Sequence, residues 1–509
     1  MADESQVTPS AFNCEGGLVL NKSTFMMQPG EALELRNFEP AIDGGYRRIN
    51  GFAKYVSVIV PFTSSASEKI LMVATFGSNV LAARGTSIYS ATPGGSSWTS
   101  IDSGRTSAGK YNFERFNFDG TDKIILVDGA NAPTVFNSSL SATDVSDSSV
   151  AGAKFVVSFK NHMFFAGKST TKQEVVFSEP FNEDGFNSGS GAGSFKVDDE
   201  ITGLKVFRDD LFIFCETRIF KLSGSSSSNF AVSDVTRDIG CINGDTIQEF
   251  AGDLIFLGPD GLRTIAGTAR IGDVELGTIS SAVQSIFNDN ISSASEFDSV
   301  VITDKTQYRI FFTKSTASEQ TTKGIICVLK GTKFEFSEIR GIRPACTDSF
   351  VKDGDVLVLH GAYSTGFIYR QEQGNTFDGT TILGRYRSPD LTFNDPGIRK
   401  HMQRVIVNYK PESTLDADLF VRYDYDDVNA ARPAAYPLDS AIVAAIYGQS
   451  GTTYGTSTSV YDSGVSEPLV RQAVEGSGFA VALKVEDGGE TAPYSLKGFQ
   501  LEYQLGARR

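Results

Sequence analysis

Along most of the chain short apolar runs alternate with polar turns, and the runs recur in one arrangement. An apolar strand is followed by a short polar turn, a stronger apolar strand, and a shorter strand ending near glycine. The clearest copy is ITGLKVF-RDD-LFIFCET-RIFKLSG, residues 201–224. Further copies begin at Lys154 (KFVVSF-KNH-MFFAGK, closing with EVVFSEP), Asp245 (DTIQEF-AGD-LIFLGPDG-LRTIAG), Phe116 and Ser349, with looser ones at Lys69 and Val300. The stronger strands open at Ile70, Ile124, Met163, Leu211, Leu254, Ile310 and Val356. Their mean spacing is about 48 residues, close to the period of propeller blades. Four successive apolar positions, as in Leu211-Phe212-Ile213-Phe214, call for burial on both faces, which a strand held between adjacent blades has. The pattern predicts an all-β protein: a β-propeller of about six to seven blades over residues 61–375. Two or three β-sandwiches are the competing all-β arrangement.

Two regions depart from the repeat. Residues 1–60 carry turn signals at Pro29-Gly30 and Asp43-Gly44-Gly45 and a strand-like run at 18–20. They are expected to form an arm that joins the propeller or a platform. Beyond a junction at 374–384 (GNTFDGTTILG), LFVRYDYDD, FAVALKVEDGG and LKGFQLEYQLG alternate apolar and polar residues with period two. That texture predicts an additional C-terminal β-sandwich or platform domain over 384–509, with an Ala/Gly/Ser/Thr-rich insertion at 429–459. A short helix is expected at 280–288.

Composition agrees with strands and tight turns: 38 Phe and 17 Tyr against one Trp, 50 Gly, and only 6 Met. With 40% hydrophobic and 21% charged residues, the chain is too apolar for a disordered polymer. The formal net charge of −15 argues against a dedicated binder of nucleic acid or anionic membrane, which needs clustered Lys and Arg. No run approaches the ~20 apolar residues that span a bilayer. The acidic opening Met1-Ala-Asp-Glu-Ser-Gln has no basic or apolar export region, so no signal peptide is expected. Five scattered cysteines without a C-x-x-C pair read as free thiols of a reducing cytosol.

Candidate chemistry is sparse. His162, His360 and His401 stand apart from one another and from cysteines, and no H-E-x-x-H, G-x-S-x-G or phosphate-loop motif occurs. Among acidic groups, Asp198/Asp199/Glu200 and Asp209/Asp210 sit in turns before strands, the ordinary place for solvated carboxylates. Asp424 and Asp426, in Tyr423-Asp-Tyr-Asp-Asp, would share one face of a strand, a spacing that binds calcium weakly if at all. Trp98 ends a glycine hairpin that lacks the aspartate of a sialidase Asp box. No catalytic residue, metal ligand or cofactor site is expected, and the chain is not read as an enzyme. Basic residues gather at Arg47-Arg48 and between Arg385 and Arg404. Arginines in such turns pair with carboxylates inside the chain or across an interface. Arg385, Arg387, Arg399 and Lys400 are the candidates for contacts between subunits.

LVLNKSTFMMQPGEALELRNFEPAIDGGYRRINGFAKY, residues 18–55, resembles the N-terminal signature of tailed-phage virion proteins. KNHMFFAGKS, FSEPFNEDGF, DDEITGLKVFRDDLFIFCETRIFKLSG, TRDIGCINGDTIQEFAGDLIFLGPDGLRTI and GRYRSPDLTFNDPGIRK follow in order. Together they are similar to β-propeller tail hub or nozzle proteins of short-tailed phages, including packaged-DNA stabilisation proteins. The resemblance implies a structural virion protein in the tail, assembled in the host bacterial cytoplasm as a ring, commonly a hexamer. Its implied partners are copies of itself, the portal or adaptor, a tail fibre or other tail proteins, and double-stranded DNA passing through the lumen without specific binding. No membrane insertion is implied. Gly44, Gly45, Tyr46, Arg47, Arg48, Gly51 and Phe52 occupy the most recognisable motif, and its implied role is architectural: glycines for a tight turn, arginines for pairing. A host-surface glycan-binding tail protein is the alternative, and a propeller glycosidase stands behind it.

Overall fold

The computed structural model describes residues 7–62, 69–107, 109–266, 278–352, 354–412, 415–439, 443–444, 459–460 and 469–508. Each copy of the repeat folds into one sheet, and the sheets stand around a common axis as a β-propeller of six four-stranded blades and one three-stranded sheet. Four blades are consecutive hairpins at residues 72–103, 112–144, 155–196 and 201–236. A three-stranded sheet at 248–264 completes the ring before the fifth four-stranded blade, 296–340. The sixth blade takes three strands from 344–371 and its outer strand, Phe52–Lys54, from the N-terminal arm. The ring is therefore closed by pairing two parts of the chain some three hundred residues apart.

The strong apolar runs are the second strands of the blades, and their burial follows from the pleat. Neighbouring side chains on a strand point to opposite faces. Leu211 and Ile213 accordingly pack with the third blade, against Phe164 and Val175. Phe212 and Phe214 pack the other way, with Leu254 and Phe256 of the three-stranded sheet. Ile124 and Leu126 likewise join one inter-blade core while Ile125 and Val127 join the next. Each such side chain contributes about 1.5–3 kcal/mol by leaving water. One assignment differs. Ile70 leads into Met72–Phe76, the inner strand of the first blade, and the equivalent second strand is Asn79–Arg84. Both strands are buried there, so the apolar run marked the wrong member of the hairpin.

Beyond the propeller two sheets face each other over one core that includes Phe38, Tyr386, Val405, Leu419, Leu483 and Leu501. One sheet pairs Ile398–Pro411 with Tyr494–Arg508, flanked by Thr8–Asn13 and by Tyr46–Arg48. The other continues the fifth blade. Glu34–Arg36 lies parallel to Lys333–Arg340 and antiparallel to Gly384–Arg387, and Val481–Asp487 and Asp416–Tyr423 follow. Blade and sandwich thus share one nine-stranded sheet, with an N-terminal strand as the seam. The expected helix appears as a 3-10 turn, Ser281–Val283, running into Gln284–Ile291, and it buries Ile286 and Phe287 in the same core. Most of the insertion at 429–459 lies outside the described residues.

Candidate functional site

The GGYRR segment lies at the seam. Gly45 has φ +81°, and a Cβ on it would run into the Leu496 carbonyl, so only glycine fits the turn. Tyr46 is fully buried. Its hydroxyl donates to the Gly30 carbonyl at 2.6 Å and accepts from the Gly17 amide at 3.0 Å, pinning the N-terminal arm. Arg48 is fully buried too, 3.2 Å from the equally buried Asp487. It donates to the carbonyls of Thr491, Gly489 and Ile382. Gly51 passes against the Thr376 backbone, leaving no room for a side chain. Phe52 stacks on Phe377 with ring centroids 5.0 Å apart.

Arg47 faces a second set of charges. It holds Glu412 through two nitrogens, at 2.6 and 2.7 Å, and reaches Glu39 at 3.2 Å. Glu39 also meets Lys305 at 2.7 Å and Arg309 at 3.3 Å, and both of these bind Glu372. Burial pushes the Glu39 carboxyl up, but Lys305, Arg309 and Arg47 outweigh it and hold its pKa at about 2. This knot joins the arm, the fifth blade, the last propeller turn and the sandwich. Spacing did not reveal its acidic members. One signal was present: Arg309 interrupts the apolar strand Gln307–Thr313, and a charge buried there needs a partner.

The other expected residues fall in separate places. Arg385 pairs within the chain, with Glu486 at 3.0 Å and Glu34 at 3.9 Å. Arg399 reaches Ser477 and lies 4.8 Å over the Phe479 ring. Lys400 is buried, donating to the carbonyls of Asp395 and Phe479, so its charge is used inside the subunit. Arg387 sits on the same strand as Arg385, half-buried. Asp424 and Asp426 do not share a strand face. The strand ends at Tyr423, and 424–426 form a tight turn whose three residues all have positive φ. There Asp424 Oδ1 accepts from the Phe479 and Ala480 amides, and Asp426 pairs with Arg432 at 3.2 Å. Asp199 accepts from Thr217, Glu200 pairs with Lys172, and Asp209 and Asp210 meet Lys160 and Lys221. His162 and His360 are buried, and His401 is exposed on the sandwich. All five cysteines are buried free thiols, and burial pushes their pKa values up, to about 12 for Cys215 and Cys241.

The inner strands surround a central cavity of about 740 Å³. Its charges are paired across blades. Lys110 lies 2.5 Å from Asp298 and 3.3 Å from Asp245, and Arg115 lies 2.6 Å from Asp348. Burial raises the Asp298 carboxyl to about 6, Lys110 pulling it back and Asp245 pushing it further. Glu114 accepts from the Ser158 hydroxyl at 2.6 Å. The Glu114–Ser158 bond ties neighbouring blades, while Lys110 and Arg115 reach from the second blade across to the fifth and sixth. Among the described residues no group of three or more His, Cys, Asp or Glu gathers as a metal site.

No family model matches the chain, and no curated protein sequence does. Solved structures similar to it include the extracellular domain of a one-component system from B. thetaiotaomicron, at 8% identity and TM-score 0.41, covering 64% of this chain and 40% of that one. PorZ of the Porphyromonas gingivalis type-IX secretion system matches at 10% identity and TM-score 0.36, covering 67% and 43%. The Neurospora crassa Pan2 WD40 domain matches at 8% identity and TM-score 0.38, covering 64% and 96%. The chain spans less than half the length of the first two.

Proposed function

We propose that this protein is a structural component of a tailed-phage virion, part of the tail ring that encloses the DNA channel and helps retain and deliver the genome. The supporting observation is how the segment 44–52 is used. Its side chains are spent on joining arm, propeller and sandwich into one body, through Tyr46, the Arg48–Asp487 pair and the Glu39 knot. A motif spent on internal bracing suits a part that keeps its shape under load, and it agrees with the order of motifs shared with tail hub proteins. The net charge of −15 suits a wall past which a phosphate backbone slides without adhering.

The mass of the purified protein, together with the composition of disrupted particles, tests the reading. Expected is a closed oligomer of several subunits and a fixed copy number per particle. A protein that stays monomeric at high concentration and is missing from particles overturns it.

A further inference from the structure

Charged side chains from three different sheets meet in the central cavity. Lys110 stands just before Asn112–Phe116, the first strand of the second blade. Asp298 lies on Glu296–Ile302, the first strand of the fifth blade, and Asp245 in the 3-10 turn Gly244–Thr246 that leads into the three-stranded sheet. Lys110 Nζ is 2.5 Å from Asp298 Oδ1, one bond from the carboxyl carbon, and 3.3 Å from Asp245 Oδ2. Local hydrogen bonds fix the backbone around all three. The Asn243 side chain accepts from the Asp245 amide at 2.8 Å, and the Ser299 hydroxyl donates to the Asp245 carbonyl at 2.7 Å. The Tyr111 amide donates to the Leu71 carbonyl at 3.0 Å.

An ordinary ion pair leaves this site poorly satisfied. Two carboxylates face one ammonium, so a negative charge is left over where Asp298 is only 5% exposed. Asp298 Oδ2 is buried without a hydrogen-bond partner, the Thr347 hydroxyl beside it donating instead to the Ser299 carbonyl at 2.9 Å. Lys305 provides the contrast. It too meets two carboxylates, Glu39 and Glu372, but Arg309 binds both and Arg47 binds Glu39. Those arginines keep the Glu39 carboxyl ionised, without a leaving hydroxyl. Among the described residues Lys110 is the one cation paired with Asp298. Burial raises the Asp298 carboxyl to about 6, which brings its neutral acid within reach near neutral pH.

We propose that Lys110 and Asp298 join in an isopeptide bond, with Asp245 carrying the proton. Burial lowers the Lys110 pKa, but Asp245 and Asp298 outweigh it, so the resting pair is ammonium and carboxylate. Asp245 accepts one proton, and the freed nitrogen lone pair attacks Asp298 Cγ. The bond from Cγ to Oδ2 breaks, and that oxygen leaves as water with two of the ammonium's hydrogens, one of them returned by Asp245. The third hydrogen stays on the amide nitrogen. One positive and one negative charge vanish together, Asp245 ends as it began, and no activated co-reactant is consumed. Holding nitrogen and carbon in contact supplies the activation that amide formation lacks in water. Loss of Oδ2 removes the unmet acceptor, and the new N–H faces Asp245. The reaction happens once per chain and ties the second blade to the fifth across the cavity, whichever particle the protein serves.

Mass spectrometry of the intact, denatured full-length protein tests it. After incubation at neutral pH the wild type is expected to weigh one water less than its sequence, and a tryptic digest to contain a branched peptide joining Lys110 to Asp298. Asp298→Asn closes the same amide by releasing ammonia, so its product has the same mass as that of the wild type. Lys110→Arg keeps the charge and stays at its sequence mass. Asp245→Asn, folded by circular dichroism, also stays at its sequence mass over the same incubation. A wild type at its full sequence mass overturns the bond. So does a water lost equally from Lys110→Arg, which would place the dehydration elsewhere, as at an Asp-Gly turn. Closure of Asp245→Asn at the wild-type rate overturns the role of Asp245.

Discussion

The propeller and its junction with the sandwich are held together by different physics. Between blades the contacts are apolar and repeated: Phe212, Phe214, Leu254 and Phe256 pack as Leu211, Ile213, Phe164 and Val175 do one position round. At the junction the contacts are ionic and used once: Arg48 with Asp487, and Glu39 with Arg47, Lys305 and Arg309. Apolar packing is undirected and additive, so any blade tolerates small changes. Buried charges are directional, and losing one member leaves the other stranded in a medium that penalises it.

The comparison breaks most readily at Arg48. Replacing it by alanine leaves Asp487 buried without a cation, and destabilisation of about 3–5 kcal/mol is expected in urea melts. Arg48→Met combined with Asp487→Leu recovers most of that loss if the pair sets geometry more than energy. Equal losses in the single and double variants would show that the carbonyl contacts of Arg48 dominate.

Glu39 sharpens the contrast by pH. Its pKa is lowered in the fold, from near 4.5 to about 2, so its contribution is complete above the ordinary value and disappears as pH falls through 4.5 toward 2. About 3 kcal/mol should go in that window. Glu39→Gln should flatten the pH dependence there, measured by denaturant melts from pH 6 to 2.5. An unchanged slope would place acid sensitivity elsewhere.

Gly45→Ala forces a side chain into a left-handed turn against the Leu496 carbonyl, and about 1–3 kcal/mol is expected in the same melts. Ile213→Val, inside a blade, should cost only about 1 kcal/mol. Lys410→Ala removes an ion pair with Asp43 that is half exposed on both sides, and a change below about 0.5 kcal/mol is expected. If Ile213→Val cost more than Gly45→Ala, the division between tolerant blades and an exacting junction would be wrong.

The blades were legible because the repeat states the same local pattern many times. Runs such as Leu211–Phe214 encode burial on both faces without reference to distant residues. The hairpin at Ile70 was misassigned because two adjacent strands there are equally apolar. The candidate site was less legible. Arg47 and Arg48 stood out as a pair, while Asp487 and Glu372 did not, because their partners lie far away in the chain, 63 and 67 residues from Glu372 and several hundred from Asp487. The expected strand at 424–426 failed because positive φ at three non-glycine positions is set by contacts with the Phe479 and Ala480 amides, which local alternation does not encode.

By itself the sequence determined the all-β class, the blade period and the glycine turn at 44–45, since these depend on residues close together in the chain. Only the tertiary structure decided that the N-terminal arm supplies both the closing strand of the sixth blade and the seam to the sandwich. It also decided which carboxylates neutralise the buried arginines. These depend on pairing between residues far apart in the chain, which local periodicity does not specify.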